Sequence, residues 1–146
     1  MLVYRFELKF SYIEPDLKPA TNVGPFARYS SKYSTKNGFD RLYMSTPTQF
    51  QPEPTDDGIY SIKYGWAFGC QSLNDLFRFF TMDLGKLHRA GFAISVYDVP
   101  DNHVDIGRNQ VQYYCGSAIL VRIMSVKDAK VVNRQSKRVI HEVLYG

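Results

Sequence analysis

The chain has 146 residues, 45% of them hydrophobic, a formal charge of +4 and a pI near 9.0. That length fits one ordinary domain with a core of its own, and the apolar content excludes wholesale disorder. No stretch offers the roughly 18 consecutive apolar residues of a membrane span, and the mild positive charge permits an acidic or nucleic-acid partner without requiring one.

The chain opens with alternation. In MLVYRFELKF, Val3, Arg5, Glu7 and Lys9 share one face of a strand and Leu2, Tyr4, Phe6, Leu8 and Phe10 the other. Period two with a polar face predicts a half-exposed strand, with Arg5 able to reach into a cleft. Charges from the fifth residue onward are unlike a signal peptide, so a cytoplasmic protein is expected. Residues 11–58 change character. They are rich in Tyr, Ser, Thr, Pro and Gly, with turn pairs Gly24-Pro25, Asn37-Gly38 and Asp57-Gly58. This predicts a long N-terminal loop region, in which Phe26, Tyr29, Tyr33, Phe39, Tyr43 and Phe50 supply material to pack on a sheet.

Residues 59–69 read as a second strand, ending at Cys70-Gln71. Ser72 with Asp75 three residues later resembles a capping box. Behind it Leu73, Leu76, Phe77, Phe80, Leu84 and Leu87 form one stripe on a 3.6-residue helix. One main amphipathic helix over about 72–90 is predicted, weakened at Gly85, where Asp83 offers a new cap, and stopped by Gly91. Strands follow at Phe92–Val99 and, after the Gly107 turn, Asn109–Tyr114. Ser117–Val126 is the most hydrophobic strand and is expected at the centre of the sheet. The tail concentrates Lys127, Lys130, Arg134, Lys137 and Arg138. It reads as a solvated, partly mobile segment over 127–146, with one more strand at Val139–Tyr145. The order implies a single α+β domain, 1–146, with mostly antiparallel sheets.

Chemical motifs are sparse. There is no Gly-rich phosphate loop, no H-E-x-x-H and no G-x-S-x-G. Cys70 and Cys115 stand apart from each other and from His88, His103 and His141, which gives no metal spacing. Two stretches stand out. In Gly65-Trp66-Ala67-Phe68-Gly69, glycines bracket two aromatics just ahead of a capped helix start, where free N–H groups suit anionic oxygens. Gln110 and Gln112 then place two amides on one face of a short strand.

With Arg5, these residues resemble the ADP-ribosyltransferase fold, a family that binds NAD in a cleft between two small antiparallel sheets. In that family a first strand carries His or Arg, matched by Arg5. A Gly-aromatic strand runs into a helix containing Ser, matched by Gly65 to Phe68 with Ser72. A later strand carries Glu, where this chain has Gln110. The likeness covers residues 2–8 and 59–114. It implies a ligand site of Arg5, Trp66, Phe68, Ser72, Gln110 and Gln112, for NAD or an NAD-derived nucleotide. Gln110 is the candidate catalytic position. Gln supplies no charge for a cationic transition state, so the likeness points to a binding or degenerate member rather than an active transferase.

The short, Tyr- and Phe-rich chain also resembles small bacteriophage or mobile-element accessory proteins. Three functions are therefore carried forward. The first is a non-enzymatic interaction protein, an anti-defence inhibitor that binds a host or defence protein through residues such as Arg28, Tyr29, Lys32 and Tyr33, or a sponge for a nucleotide-like ligand. The second is an NAD-dependent ADP-ribosyltransferase-like enzyme. The third is a nucleic-acid binder using the basic tail with Tyr113 and Tyr114 as stacking surfaces.

Overall fold

The computed structural model describes residues 1–8, 54–80, 84–89 and 91–145. The expectations for residues 11–53, with Arg28, Tyr29, Lys32 and Tyr33, and for Asp83 as a cap lie outside the described residues. The architecture is α+β in three layers. Sheet 1 has the order β1-β3-β6, from Leu2–Leu8, Phe92–Asp98 and Ile119–Met124. Sheet 2 has the order β2-β5-β4, from Trp66–Gly69, Val111–Tyr114 and Val104–Ile106. Every pairing is antiparallel.

Helices α1 (Leu73–Phe79) and α2 (Leu84–Arg89) occupy the expected 72–90 region as two short pieces. Ser72 is the cap: its side chain accepts the Asp75 backbone N–H at 3.1 Å. Gly91 ends the region at φ 94°, a left-handed conformation that costs glycine little. Leu73, Leu76, Phe80 and Leu87 are buried with Phe6, Ile94, Val96 and Met124 in the core between helices and sheet 1. The Phe6 and Phe80 rings meet edge to face at 5.2 Å.

The tail departs from expectation. Residues 126–145 form a 20-residue helix, α3, in place of a terminal strand. Ser125 caps it, accepting from the Asp128 N–H at 3.1 Å. Val126, Ala129 and the partly buried Val132 dock on the helix-side core. Over Val139–Tyr145 the β-branched residues suggest period two, but the longer series 126, 129, 132, 139, 140, 143 keeps the helical period. Ile119–Met124 is also not central: β3 is, and β6 is an edge strand exposed over most of its length. Its hydrophobicity misleads because apolar composition does not say which neighbour covers a strand.

The polar face of β1 is buried, contrary to the half-exposed strand expected. Val3 and Glu7 are inaccessible to solvent, because sheet 2 packs over that face. Val3, Tyr97 and Val99 form a second core with Ala67, Val111 and Tyr113. The expected strand 59–69 shortens to Trp66–Gly69.

Gly69 makes the close approach of the two sheets feasible. Tyr4 and Cys70 exchange two backbone hydrogen bonds of 2.8 Å, N–H to O in each direction. A Cβ at Gly69 would lie 2.5 Å from Val3 Cγ1 and 2.8 Å from the Tyr4 carbonyl oxygen. Gly69→Ala is therefore expected to destabilise the fold by about 1–3 kcal/mol, the usual range for over-packing. Denaturant unfolding checks it, and an unchanged midpoint would contradict this packing.

Candidate functional site

The inner face of β1 carries the first group of polar residues. Arg5 Nη1 donates to the Phe68 carbonyl, and Arg5 Nε lies 3.3 Å from Glu7 Oε2. Tyr97 donates its hydroxyl to Glu7 Oε1. Burial, then the Glu7 carboxylate, pushes the Tyr97 phenol upward, so it stays protonated and donating. Tyr113 lies across from them with its hydroxyl buried and, among the described residues, without a hydrogen-bond partner. Burial also raises its pKa. Hence the expected stacking role for Tyr113 does not hold: its ring faces sheet 1 and is fully covered. Tyr114, the next residue, is exposed and lies against Trp66 at 5.9 Å.

The outer face of sheet 2 carries the second group. Phe68 pairs with Gln112 and Trp66 with Tyr114. Since Ala67 and Tyr113 point toward sheet 1, strand alternation sends these four side chains the other way. Gln112 is fully buried there. Its amide nitrogen donates to the Ser61 carbonyl at 2.9 Å and to Asp105 Oδ2 at 3.1 Å, while its oxygen accepts the Lys63 backbone N–H at 3.0 Å. Lys63 Nζ in turn sits 2.8 Å from Asp105 Oδ2 and 4.2 Å above the Trp66 ring. The hydrogen bond from Lys63, followed by that from Gln112, lowers the Asp105 pKa.

Gln110 holds a neighbouring clamp. Its amide donates to Asp57 Oδ2 at 2.9 Å, and Asn109 donates to Asp57 Oδ1 at 2.6 Å. The Asp57 carbonyl accepts the Arg108 N–H at 3.0 Å. Asp57 ends the short 3-10 turn Pro54–Asp57 and is itself buried. The two glutamines, read from sequence as a pair of ligand-facing amides, fasten residues 54–63 to sheet 2.

The structure therefore brings Arg5 to the main chain of Phe68 but places the side chains of Phe68 and Gln112 on the far face of that sheet. Ser72 is occupied as a helix cap. Cys70 is buried, and burial, with Asp75 and Asp57 nearby, pushes its thiol up to about 12, leaving no thiolate at neutral pH. Among the described residues, no group of three His, Cys, Asp or Glu is placed to hold a metal, and no helix is long and apolar enough to cross a membrane.

The clamps leave one segment on display. Tyr60 is 81% exposed, Ile62 61%, and Tyr64 fully exposed, while the main chain of Ser61 and Lys63 between them is tied to Gln112. Sequence reasoning missed this strip because Tyr-Ser-Ile-Lys-Tyr has strand periodicity. The alternation is real, but the partner that fixes the segment is one amide side chain rather than a neighbouring strand. Asp57 and Asp105 were also missed, since nothing local marks a carboxylate as an amide acceptor.

Two facing antiparallel sheets, backed by helices and carrying a fastened aromatic strip, define a small α+β phage protein when set beside the family comparison. The family model described as Bacteriophage T4 Y00F protein matches residues 1–127, and the chain belongs to that family. No curated protein and no solved structure gives a match.

Gln110→Glu tests the Asp57 clamp. It replaces a donor by a second carboxylate facing a buried one, so its pKa must rise above the unfolded value near 4.3. A raised carboxylate stabilises the fold only where it is protonated, so the penalty of the substitution grows as pH rises above about 4. Thermal melts across pH 4–8 are expected to show the variant closest to the native chain at the acid end. A pH-independent difference would contradict the clamp.

Proposed function

We propose that this phage protein is a non-enzymatic accessory protein that binds a host or defence protein through the Tyr60-Ile62-Tyr64 strip. One observation carries the reading: three large apolar side chains stand in solvent on a segment whose main chain is held by a buried glutamine. Exposed Tyr is otherwise unfavourable surface, and Tyr is enriched among the residues that dominate protein interfaces. Holding the segment in advance lowers the ordering cost of binding. Lys63 within the strip is already paired with Asp105 at 2.8 Å, so recognition there rests on the exposed Tyr and Ile side chains.

The test is affinity capture from host lysate with the native chain and with Tyr60→Ala/Tyr64→Ala. Both positions are exposed, so stability should change by no more than about 0.5 kcal/mol. Loss of two anchors is expected to lower recovery of a specific partner at least about 30-fold. Equal recovery by the double variant would dispose of the strip as the binding surface.

A second reading, an ADP-ribosyltransferase-like NAD site, draws support from Arg5 lying between two facing antiparallel sheets. The internal bonds of Gln110 and Gln112 and the absence of charge at Gln110 weigh against transfer chemistry. Labelled NAD with host extract separates the two readings: label transfer or NAD cleavage that Arg5→Ala abolishes would favour the enzyme.

A further inference from the structure

A different surface, at the outer edge of sheet 1, bears on self-association. β6 is the outer strand of sheet 1, and Ile119, Leu120, Val121 and Ile123 are each 42–67% exposed. An edge strand normally carries charges or proline against unwanted pairing. This one has a single charge, Arg122, and no proline. Directly after β6 the chain enters α3, whose first turns dock through Val126 and Ala129. The same apolar stripe then continues as Val139, Ile140, Val143 and Leu144, now 58–80% exposed. These residues share the helix face that is buried further back, and among the described residues they stand exposed.

A projecting helix of some 13 residues is about 20 Å long and marginal in water without packing. Glu142 beside Arg138, at 2.9 Å, adds only a surface pair. The eight exposed aliphatic side chains offer on the order of 800 Å² per chain, the share one partner contributes to a standard interface. They lie on both faces of the edge: Leu120 and Ile123, level with Tyr97 and Ser95, on the side of sheet 2, and the α3 stripe on the helix side, so an edge-paired copy meets both. The composition is aliphatic and nearly uncharged at its centre, as in homodimers, rather than Tyr-, Trp- and Arg-rich as in interfaces that form and part.

We propose that the occupant of this surface is a second copy of the chain, paired antiparallel along β6 about a two-fold axis near Val121, with each α3 extension closing over the partner. The β3–β6 register leaves Val121 without a partner residue on β3, so a charge there disturbs the outer edge more than the sheet. This inference rests on β6 and α3 and is independent of the strip on the other sheet.

The experiment is sedimentation equilibrium on the full chain at micromolar concentrations, with circular dichroism as the control for folding. The native chain is expected at twice its 16.8 kDa mass. Val121→Lys and, separately, Val143→Lys are expected to weaken dimerisation at least about 30-fold with unchanged spectra. In a Cys115→Ser background, Val121→Cys is expected to form a disulfide-linked dimer on mild oxidation, because the two-fold brings that position against its own copy. This last arm stands even if a lysine variant fails to fold. A native chain of single mass on the order of 100 µM would overturn the proposal. So would a dimer that forms no Val121→Cys cross-link, or one that both lysine variants leave intact.

Discussion

The two backbone hydrogen bonds between Tyr4 and Cys70 hold the molecule together as one unit. β1 belongs to sheet 1 through seven residue pairs with β3, yet at Tyr4 it also bridges to the chain leaving β2. That double membership needs a glycine at position 69, since any side chain there meets Val3 and the Tyr4 carbonyl. It also forces the inner face of β1 between two sheets, and so explains a glutamate with no solvent access. Glu7 is held by Arg5 and Tyr97, and Arg5 spends another donor on the Phe68 carbonyl. A buried charge is tolerated because it is paired and hydrogen-bonded.

The other side of sheet 2 solves a different problem. Among the described residues, 54–64 have no strand partner, yet backbone groups of Ser61 and Lys63 sit against the sheet and need hydrogen bonds. Gln112 supplies them to the Ser61 carbonyl and the Lys63 N–H, while Gln110 holds the side chain of Asp57. Amides suit the work because each both donates and accepts. The consequence is a segment fixed from beneath with its aromatic residues outward. The amides that look like ligand contacts in one dimension work as fasteners in three, and binding capacity moves to the residues they hold up.

The elements legible in the sequence were those defined by local physics. The Ser72 cap, the Gly91 stop, strand 92–98 and the Gln-bearing strand all follow from short-range pattern. What was not legible depended on contacts distant in sequence. The alternation in Leu2–Leu8 locates a strand but cannot show that a second sheet will cover Glu7. The apolar run at Ile119–Met124 reads as a central strand because composition carries no record of neighbours. The tail misled in a related way: Val-rich residues at 139–145 fit two periods, and only the continuation of the docked stripe from Val126 selects the helix. Of the candidate site residues, types and spacing were visible, but their faces were not. Arg5 and the glutamine side chains occupy opposite sides of sheet 2, a fact set by which face of β5 carries Tyr113.

The central claim is that the Gln112 side chain binds this chain's own backbone and so holds the Tyr60–Tyr64 segment in place. Amide hydrogen exchange at Lys63, whose N–H donates to Gln112 Oε1, tests it most directly. The account predicts slow exchange at Lys63 in the native chain and loss of that protection in Gln112→Ala while β3 amides remain protected. Fast exchange at Lys63 in the native chain, or equal protection in the variant, would contradict it.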